Sequence, residues 1–498
     1  MGFKLRKYQE EDIKKWIRNN FRGALYWDPG LGKTFTMAVI ARRLLKKEYT
    51  SKLFIGFPAV AGSTWYEFLT EVVGIPESMI YNCMFKEHEK RGYRGEKIIM
   101  CNYQKLPPPP TRKKKTHRVT GTFDEYGKLR CELLPLRNNR KIREFPDDID
   151  TWFLDESHML KEHDSIAFLF FQRHIKKGDK VLMASGTPFP NRHVSAYGQL
   201  TLLEPGIVGK DISEFRREFC VCINKQFDLY AVTKDKVSVL ESKIAHLCSF
   251  KTAEEHLDIP ELTTSELVYQ ASPEQLKFIS QIIRDGKVKV LENGETSVMF
   301  KTPNIAHTMG QQALSGYVDM NITSQFDRNA KENVRREFGG GNKFEVLKSQ
   351  LELLKGRKVL IWVNFTETSA RLKVLLQQAG YKVDRFAASD KKNYMERIKA
   401  FTDGDTQILV SHPSIIGTAV NYFSGIQYMI WYELTWDWAV YEQAVTRIYR
   451  GGQKNRTFCW HMIGHRLEKR QLNALVEKED VHDSLTRLDM TNIREDGF

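Results

Sequence analysis

Residues 24–34 read Ala24-Leu25-Tyr26-Trp27-Asp28-Pro29-Gly30-Leu31-Gly32-Lys33-Thr34: a short apolar run, a glycine-rich turn, and then an amphipathic stretch over 35–45. Strand, Gly-rich turn and helix in that order make a phosphate-binding loop at the head of a βαβ unit. Gly30 and Gly32 leave room for backbone N–H groups to close on phosphate oxygens without a Cβ in the way. Lys33 would neutralise the β- and γ-phosphates of a nucleotide, and the Thr34 hydroxyl would ligate Mg2+. The strict GxxxxGK[ST] pattern fails at its first position, which holds Trp27.

Such a site needs a carboxylate at the end of a neighbouring strand. Trp152-Phe153-Leu154-Asp155-Glu156-Ser157-His158 offers two. Asp155 is expected to hold Mg2+ through water, and Glu156 to polarise the attacking water as general base. An acidic pair after an apolar strand is common on any surface. Joined to a phosphate loop, it reads as an NTPase that uses Mg2+.

Outward from these two motifs, apolar runs alternate with amphipathic stretches, the signature of parallel sheets built from βαβ units. Strands are expected at 24–27, 53–57, 97–101, 152–154 and 181–184. After Gly339-Gly340-Gly341 a second series is expected at 358–363, 382–386, 407–411, 428–432 and 458–463, with helices over 366–379 and 391–401 between them. The fold class is therefore α/β: two parallel-sheet lobes with a mostly helical insertion between them. The expected domains are lobe 1 over 1–205, a mostly helical linking region over 206–340, lobe 2 over 341–470, and a C-terminal tail over 471–498. Ser272-Pro273-Glu274-Gln275 opens one of the linking helices, with Pro early and an apolar stripe after it.

Composition sets outer limits. Among 498 residues, 76 Lys and Arg oppose 62 Asp and Glu for a net charge of +14, with 41% hydrophobic and 28% charged residues. That balance excludes a disordered chain or an acidic solvating scaffold and points to a polyanionic partner. Seven scattered cysteines without a CxxC pair read as reduced thiols, with neither a disulfide framework nor a zinc site. The N-terminus lacks a signal-like apolar core, and no apolar run approaches the ~18 residues of a membrane span. The expected location is the cytoplasm, bacterial or of an infected host cell.

The charge is unevenly spread. From Pro107 to Pro146 eleven Lys or Arg face four acidic residues, so that this stretch carries +7. Leu106-Pro107-Pro108-Pro109-Pro110 is stiff and extended, and Arg112, Lys113, Lys114 and Lys115 follow it closely. Residues 119–123 and 128–134 flank Asp124-Glu125-Tyr126-Gly127 as a β-hairpin. This insertion in lobe 1, 107–150, is either a solvated surface element or a phosphate-contacting arm that enters or straddles a nucleic-acid duplex.

At this point the motifs resemble a family, the superfamily 2 helicases, and within it the Swi/Snf-type DNA translocases. Leu5-Arg6-Lys7-Tyr8-Gln9 resembles the family's opening motif, in which Gln9 would recognise adenine. Pro29–Thr34 is similar to motif I; Phe57-Pro58 with Trp65 and Glu67 to motif Ia; Asn102-Tyr103 to the segment after the next strand. Asp155–His158 matches the DExH form of motif II. Ser185-Gly186-Thr187-Pro188, with Asn191, resembles motif III, which links the ATP site to the nucleic-acid track. In the second half, Leu360–Val363 with Phe365 resembles motif IV, and Arg397, Ile398 and Phe401 fall at the family's spacing. Leu409–Ser411, Gly417, Thr418 and Asn421 resemble motif V. Gln443-Ala444-Val445-Thr446-Arg447-Ile448-Tyr449-Arg450-Gly451-Gly452-Gln453 is closely similar to the branch's motif VI. Arg447 and Arg450, three apart, are expected on one helical face as arginine fingers for the γ-phosphate. RNA helicases of the DEAD and DEAH groups carry Gly where Thr446 stands, so this residue argues for the DNA branch.

The resemblance implies that the two parallel-sheet lobes are RecA-like, and that the chain is an ATP-dependent DNA translocase or helicase that moves along or remodels duplex, forked or branched DNA, working as a monomer. Thr187, Thr418 and Asn421, with the arm's four basic residues, are the expected nucleic-acid contacts, and Gln443 joins the catalytic set. The departures are a single Gly417 in motif V, Glu433 for the usual Asp, and Asp437-Trp438 for the usual Asn-Pro. Lobe 1 starting at the first residues suggests a compact, phage- or virus-encoded member. The competing readings are an RNA-directed superfamily 2 helicase and a non-catalytic nucleic-acid-binding scaffold that retains the fold.

Overall fold

The structure is a computed structural model. It describes residues 4–108, 117–123, 129–135, 145–188, 196–224, 229–285, 287–292, 295–300, 303–323, 331–386, 394–415, 423 and 425–487. The chain forms two compact units, Met1–Asp28 with Gly32–Lys251, and Thr252–Phe498 with Pro29–Leu31.

In the first unit the strands are β1 (Arg22–Trp27), β2 (Leu53–Phe57), β3 (Ile80–Asn82), β4 (Ile98–Asn102), β5 (His117–Phe123), β6 (Leu129–Pro135), β7 (Thr151–Asp155), β8 (Lys180–Ala184), β9 (Cys220–Asn224), β10 (Leu229–Val232) and β11 (Cys248–Lys251). Seven of them make a parallel sheet in the order β11-β1-β8-β7-β2-β4-β3. Its central strands β2, β4 and β7 are buried at every position, which is why they read in sequence as unbroken apolar runs. β5 and β6 form the expected antiparallel hairpin, with His117 opposite Pro135 and Phe123 opposite Leu129.

In the second unit the strands are β12 (Leu262–Val268), β13 (Lys287–Glu292), β14 (Glu295–Phe300), β15 (Tyr317–Thr323), β16 (Lys331–Glu337), β17 (Val359–Trp362), β18 (Val383–Phe386), β19 (Ile408–Ser411), β20 (Tyr428–Trp431) and β21 (Thr457–Ile463). Six make a second parallel sheet, β12-β21-β20-β17-β19-β18. Apolar residues fill both of its faces: Trp362, Trp431 and Phe401 on one side, Leu347, Ile361 and Ile430 on the other.

All ten strands expected for the two sheets are present. The region 206–340 differs from the expected mostly helical linker. Helices at Ile212–Phe219, Lys234–Ile244, Pro273–Asp285 and Pro303–Leu314 alternate with three antiparallel hairpins, β9–β10, β13–β14 and β15–β16. Moreover, β11 closes the first sheet and β12 the second, so the division between units falls at Lys251 and Thr252, inside the expected linker. Alternating Val288, Val290 and Thr296, Val298 around Asn293-Gly294 is a hairpin pattern, and it overrides the helical reading there. The helix start at Ser272 is as expected: its hydroxyl accepts from Gln275 N at 3.3 Å, and Gln275 Oε1 accepts from Ser272 N at 2.7 Å, a capping box.

Candidate ATP site and motor motifs

Three strands at the middle of the first sheet deliver three motifs to one edge. β1 ends at the glycine-rich loop, β8 at Ser185 and β7 at Asp155; β8 lies between the other two, with Ala184 level with both Leu25 and Asp155. Ligands of parallel α/β sheets bind at this carboxyl edge.

Trp27 explains its own departure from the loop pattern. It is still a strand residue, fully buried, and its indole donates to Ser249 Oγ at 2.9 Å and packs on Tyr8. The turn proper starts after it. Gly30 at φ +91° and Gly32 at φ +77° take left-handed conformations that a side chain rarely adopts. A Cβ on Gly32 would also stand 2.8 Å from Gln9 Nε2. Gln9, buried on the helix Lys7–Arg18, accepts from Arg6 N at 2.8 Å. The residue expected to read adenine therefore lies directly against the phosphate loop.

Lys33 is the first residue of the helix Lys33–Lys46, and Thr34 the second. The Lys33 ammonium donates to the carbonyls of Trp27 at 2.6 Å and Asp28 at 3.1 Å, so it lies folded into the loop. Its charge reaches Asp155, whose carboxyl it helps to keep ionised.

Asp155 is buried at the end of β7. Oδ2 accepts from Trp65 Nε1 at 2.7 Å and Oδ1 from Glu156 N at 3.0 Å. Burial, and then the neighbouring Glu156 charge, push its carboxyl up to about 6; the Trp65 indole and Lys33 oppose the rise. The Tyr103 hydroxyl donates to the Asp155 carbonyl at 2.6 Å. Glu156 is left-handed, φ 49° and ψ 50°, a strained setting for a non-glycine residue that turns the chain out of the strand. Its Oε2 lies 3.2 Å from His158 Nδ1, which also meets Ser185 Oγ at 3.0 Å and Thr187 Oγ1 at 3.4 Å. Motif II and motif III are thus one polar chain: Glu156, His158, Ser185, Thr187. Thr187, expected as a nucleic-acid contact, is only 1% exposed and belongs to this chain.

The donor set fits a nucleotide with its divalent cation. Hard oxygen ligands, the Thr34 hydroxyl and a buried carboxylate whose ionised form lacks solvation, suit Mg2+. The left-handed glycines form a cradle that a Cβ would fill.

In the second unit, motif VI starts on the helix Trp438–Thr446, capped by Asp437, which accepts from Ala439 N at 2.9 Å. Gln443 is on that helix. Arg447 and Arg450 are not on one helical face as expected. The helix stops at Thr446, whose hydroxyl donates to the Glu442 carbonyl at 2.9 Å, and a turn follows in which Ile448 N and Tyr449 N share the Val445 carbonyl. The turn, and not helical spacing, brings the two arginines near each other. Burial, and then the Arg447 charge, push the Arg450 guanidinium down to about 10. Gln453 braces this turn from within, donating to the Ile426 carbonyl at 2.8 Å.

Glu433 is a buried structural cap. Oε2 accepts from Asn364 N at 2.8 Å and Phe365 N at 3.0 Å at the start of the helix Thr366–Gln378; Oε1 accepts from the hydroxyls of Thr368 and Ser315. Arg397 grips Asp384 with two nitrogens, at 2.8 and 2.7 Å. Arg112, Lys113, Lys114, Lys115, Asn191, Gly417, Thr418 and Asn421 lie outside the described residues.

Sequence reasoning missed Gln199. Fully buried, it accepts from Ser157 Oγ at 2.6 Å and from Tyr26 OH at 3.3 Å and donates to the Pro188 carbonyl, tying β1 to motifs II and III. A lone amide inside the apolar run Ala196–Leu203 was its signal. Gly198 beside it admits no side chain, since a Cβ would lie 2.3 Å from the Leu160 carbonyl. Trp65 and Tyr103 were legible only as family motif positions.

Residues 2–189 match the family described as Type III restriction enzyme, res subunit, and residues 342–452 match the Helicase conserved C-terminal domain. With the phosphate loop, the Asp-Glu pair and the arginine turn carried on two parallel-sheet units, the chain is a superfamily 2 helicase, an ATP-dependent enzyme. Among curated relatives, the "Uncharacterized ATP-dependent helicase YqhH" of Bacillus subtilis is 22% identical over 98% of this chain and 82% of its own length. "DNA repair protein rhp54" of Schizosaccharomyces pombe is 24% identical over 64% of this chain and 39% of its own. The chain spans little more than a third of the latter. A solved structure, "Sulfolobus solfataricus SWI2/SNF2 ATPase core in complex with dsDNA", covers 98% of this chain and 94% of that one at 18% identity and TM-score 0.40. Among the described residues no helix is long and apolar enough to cross a membrane.

Proposed function

We propose that this chain hydrolyses ATP to translocate along, and thereby remodel, double-stranded DNA, with forks and branched junctions among its substrates, and that it works as a cytoplasmic monomer. The observation that carries the reading is the continuous polar chain from Asp155 and Glu156 through His158 to Ser185 and Thr187, beside Lys33. It connects the groups that would meet the γ-phosphate with the motif expected to reach the nucleic-acid track.

Gln9 holds the base. Gly30, Gly32 and Lys33 would hold the phosphates, while Thr34 and Asp155 would hold the cation. Bound Mg2+–ATP supplies the electrophilic γ-phosphorus and part of the neutralising charge. Glu156 accepts a proton from the attacking water, and His158 Nδ1 stands 3.2 Å from its carboxylate. Arg447 and Arg450, with Gln443 before them, stabilise the charge that develops on the transferred phosphoryl. The Arg450 guanidinium, pushed down by burial and by Arg447, is a cation poorly served in isolation, and an anion is the partner that relieves it. Cycles of ATP binding and hydrolysis would shift grip along the phosphate backbone. The basic arm with Arg112, Lys113, Lys114 and Lys115 would add phosphate contacts, along with Thr418 and Asn421 of motif V.

DNA is favoured over RNA by Thr446 in motif VI and by likeness to relatives named for DNA repair. Lys33→Ala, Glu156→Gln and Arg450→Ala should each abolish DNA-stimulated ATP hydrolysis while duplex binding persists. Full turnover in Glu156→Gln would sink the general-base assignment, and a biological function left unchanged by loss of hydrolysis in Lys33→Ala would favour the scaffold reading.

A further inference from the structure

Trp65 lies on the short helix Gly62–Glu67, just after β2. The start of that helix is pressed on the sheet, since a Cβ at Gly62 would stand 2.9 Å from the Phe57 ring. Trp65 is fully buried, and its one donor, Nε1–H, is directed at a carboxylate oxygen 90 residues away, Asp155 Oδ2, at 2.7 Å. Packing alone does not require this. Trp16, Trp362 and Trp431 are equally buried, with indole N–H groups that meet no acceptor among the described residues, so this chain tolerates indoles that only fill space.

The consequence for Asp155 is geometric. Glu156 N holds Oδ1 at 3.0 Å and Trp65 holds Oδ2, so both oxygens are pinned and the carboxylate cannot rotate about its last bond. A carboxylate has about four lone-pair positions. Two are taken by these donors, and the other two are left with a fixed direction. Below, the Tyr103 hydroxyl holds the backbone carbonyl of the same residue and also contacts the Gly56 carbonyl, anchoring it between β2 and β7.

We propose that Trp65 is a positioning residue: its indole N–H orients the Asp155 carboxylate toward the divalent cation that accompanies the nucleotide, and so sets how much cation the chain needs. The inference rests on the assignment of Asp155 to that cation. Partners of metal-holding groups typically contribute ~10–100-fold in metal affinity, and Trp65→Phe, which keeps an aromatic ring in the core and deletes the donor, should fall at the lower end.

The test is binding without turnover. The full chain is titrated with Mg2+ in the presence of a fluorescent, non-hydrolysable ATP analogue, and also with the analogue in EDTA. Trp65→Phe should need about tenfold more Mg2+ for half-maximal tight binding, with unchanged binding in EDTA. Trp65→His, which retains a ring N–H, should recover part of the difference. A Mg2+ requirement equal to wild type in a folded Trp65→Phe overturns the proposal. If Trp65→Phe does not fold, the wild-type chain with 15N-labelled indoles answers instead. The indole resonance that moves in Asp155→Asn should also move when Mg2+ joins the nucleotide complex, and a stationary resonance overturns the proposal. Should wild-type binding not depend on Mg2+ at all, the assignment of Asp155 itself fails and takes the proposal with it, a result distinct from the others.

Discussion

Removing the Glu468 carboxylate should destabilise the second unit far more than removing it together with its partner. Lys343 and Glu468 form an ion pair at 3.0 Å with both side chains about 5% exposed or less. The Tyr269 hydroxyl contacts both carboxylate oxygens, at 2.9 and 2.8 Å, and Gly464 N donates to Oε2 at 2.8 Å. The ammonium lies over the rings of Tyr269 and Tyr432 at 4.9 and 4.7 Å. Glu468→Leu leaves a buried cation with two ring faces and the charge of Glu433 but no direct anionic partner, a loss of ~3–5 kcal/mol. The orphaned Tyr269 hydroxyl adds to it, so the upper half of that range is expected. Lys343→Met leaves a carboxylate still served by two neutral donors, and should cost about 2–3 kcal/mol. The double variant exchanges the pair for packed apolar volume and should recover to within about 1–2 kcal/mol of wild type. Urea unfolding followed by hydrogen exchange in peptides from 252–487 reads this unit separately from the first, which the two-unit chain requires. A Glu468→Leu cost below about 1 kcal/mol, or a double variant as unstable as the sum of the singles, would refute the reasoning from desolvation of a lone buried charge.

Two further outcomes follow from individual residues. His461, almost fully buried beside Tyr441 OH at 2.9 Å, is pushed down to about 4 by burial. Because the unfolded chain takes up this proton near pH 6.5 and the folded chain does not, stability should fall as pH drops from about 6.5 to 4, by up to about 3 kcal/mol from this group. His461→Gln should flatten that acid limb in pH-dependent unfolding, and an unaltered limb would count against the assignment. In Gly32→Ala the new Cβ meets Gln9 Nε2 at 2.8 Å in a left-handed loop, and a loss of ~1–2 kcal/mol is expected from the backbone alone. Adding Gln9→Ala removes the collision and leaves the backbone penalty; a thermal melt of Gly32→Ala identical to wild type would contradict the loop geometry.

Much of the scaffold was legible in sequence because strands buried on both faces must be apolar at nearly every position, as β2, β4 and β7 are. The phosphate loop and the Asp-Glu pair were legible for a different reason: their chemistry restricts residue type over a few neighbouring positions. Edge strands were harder. β3 has three residues, β11 has four, and β12 is exposed or half-buried throughout, so none gives a distinct apolar run. The arginine pair shows the limit of periodicity, since a side-chain hydrogen bond from Thr446 coincides with the end of a helix that spacing alone would continue. The Trp65–Asp155 bond and the Gln199 contacts join segments tens of residues apart, and no local pattern encodes them.

Coupling of ATP hydrolysis to DNA is the property on which the proposed function stands or falls. The most direct measurement is the steady-state ATPase rate of the full chain with duplex DNA, single-stranded DNA, forks, four-way junctions and RNA, each compared with no nucleic acid. Strong stimulation by duplex-containing DNA is expected, with little by RNA and none in Glu156→Gln. Stimulation by RNA and not by DNA, or a rate indifferent to every nucleic acid, would contradict it.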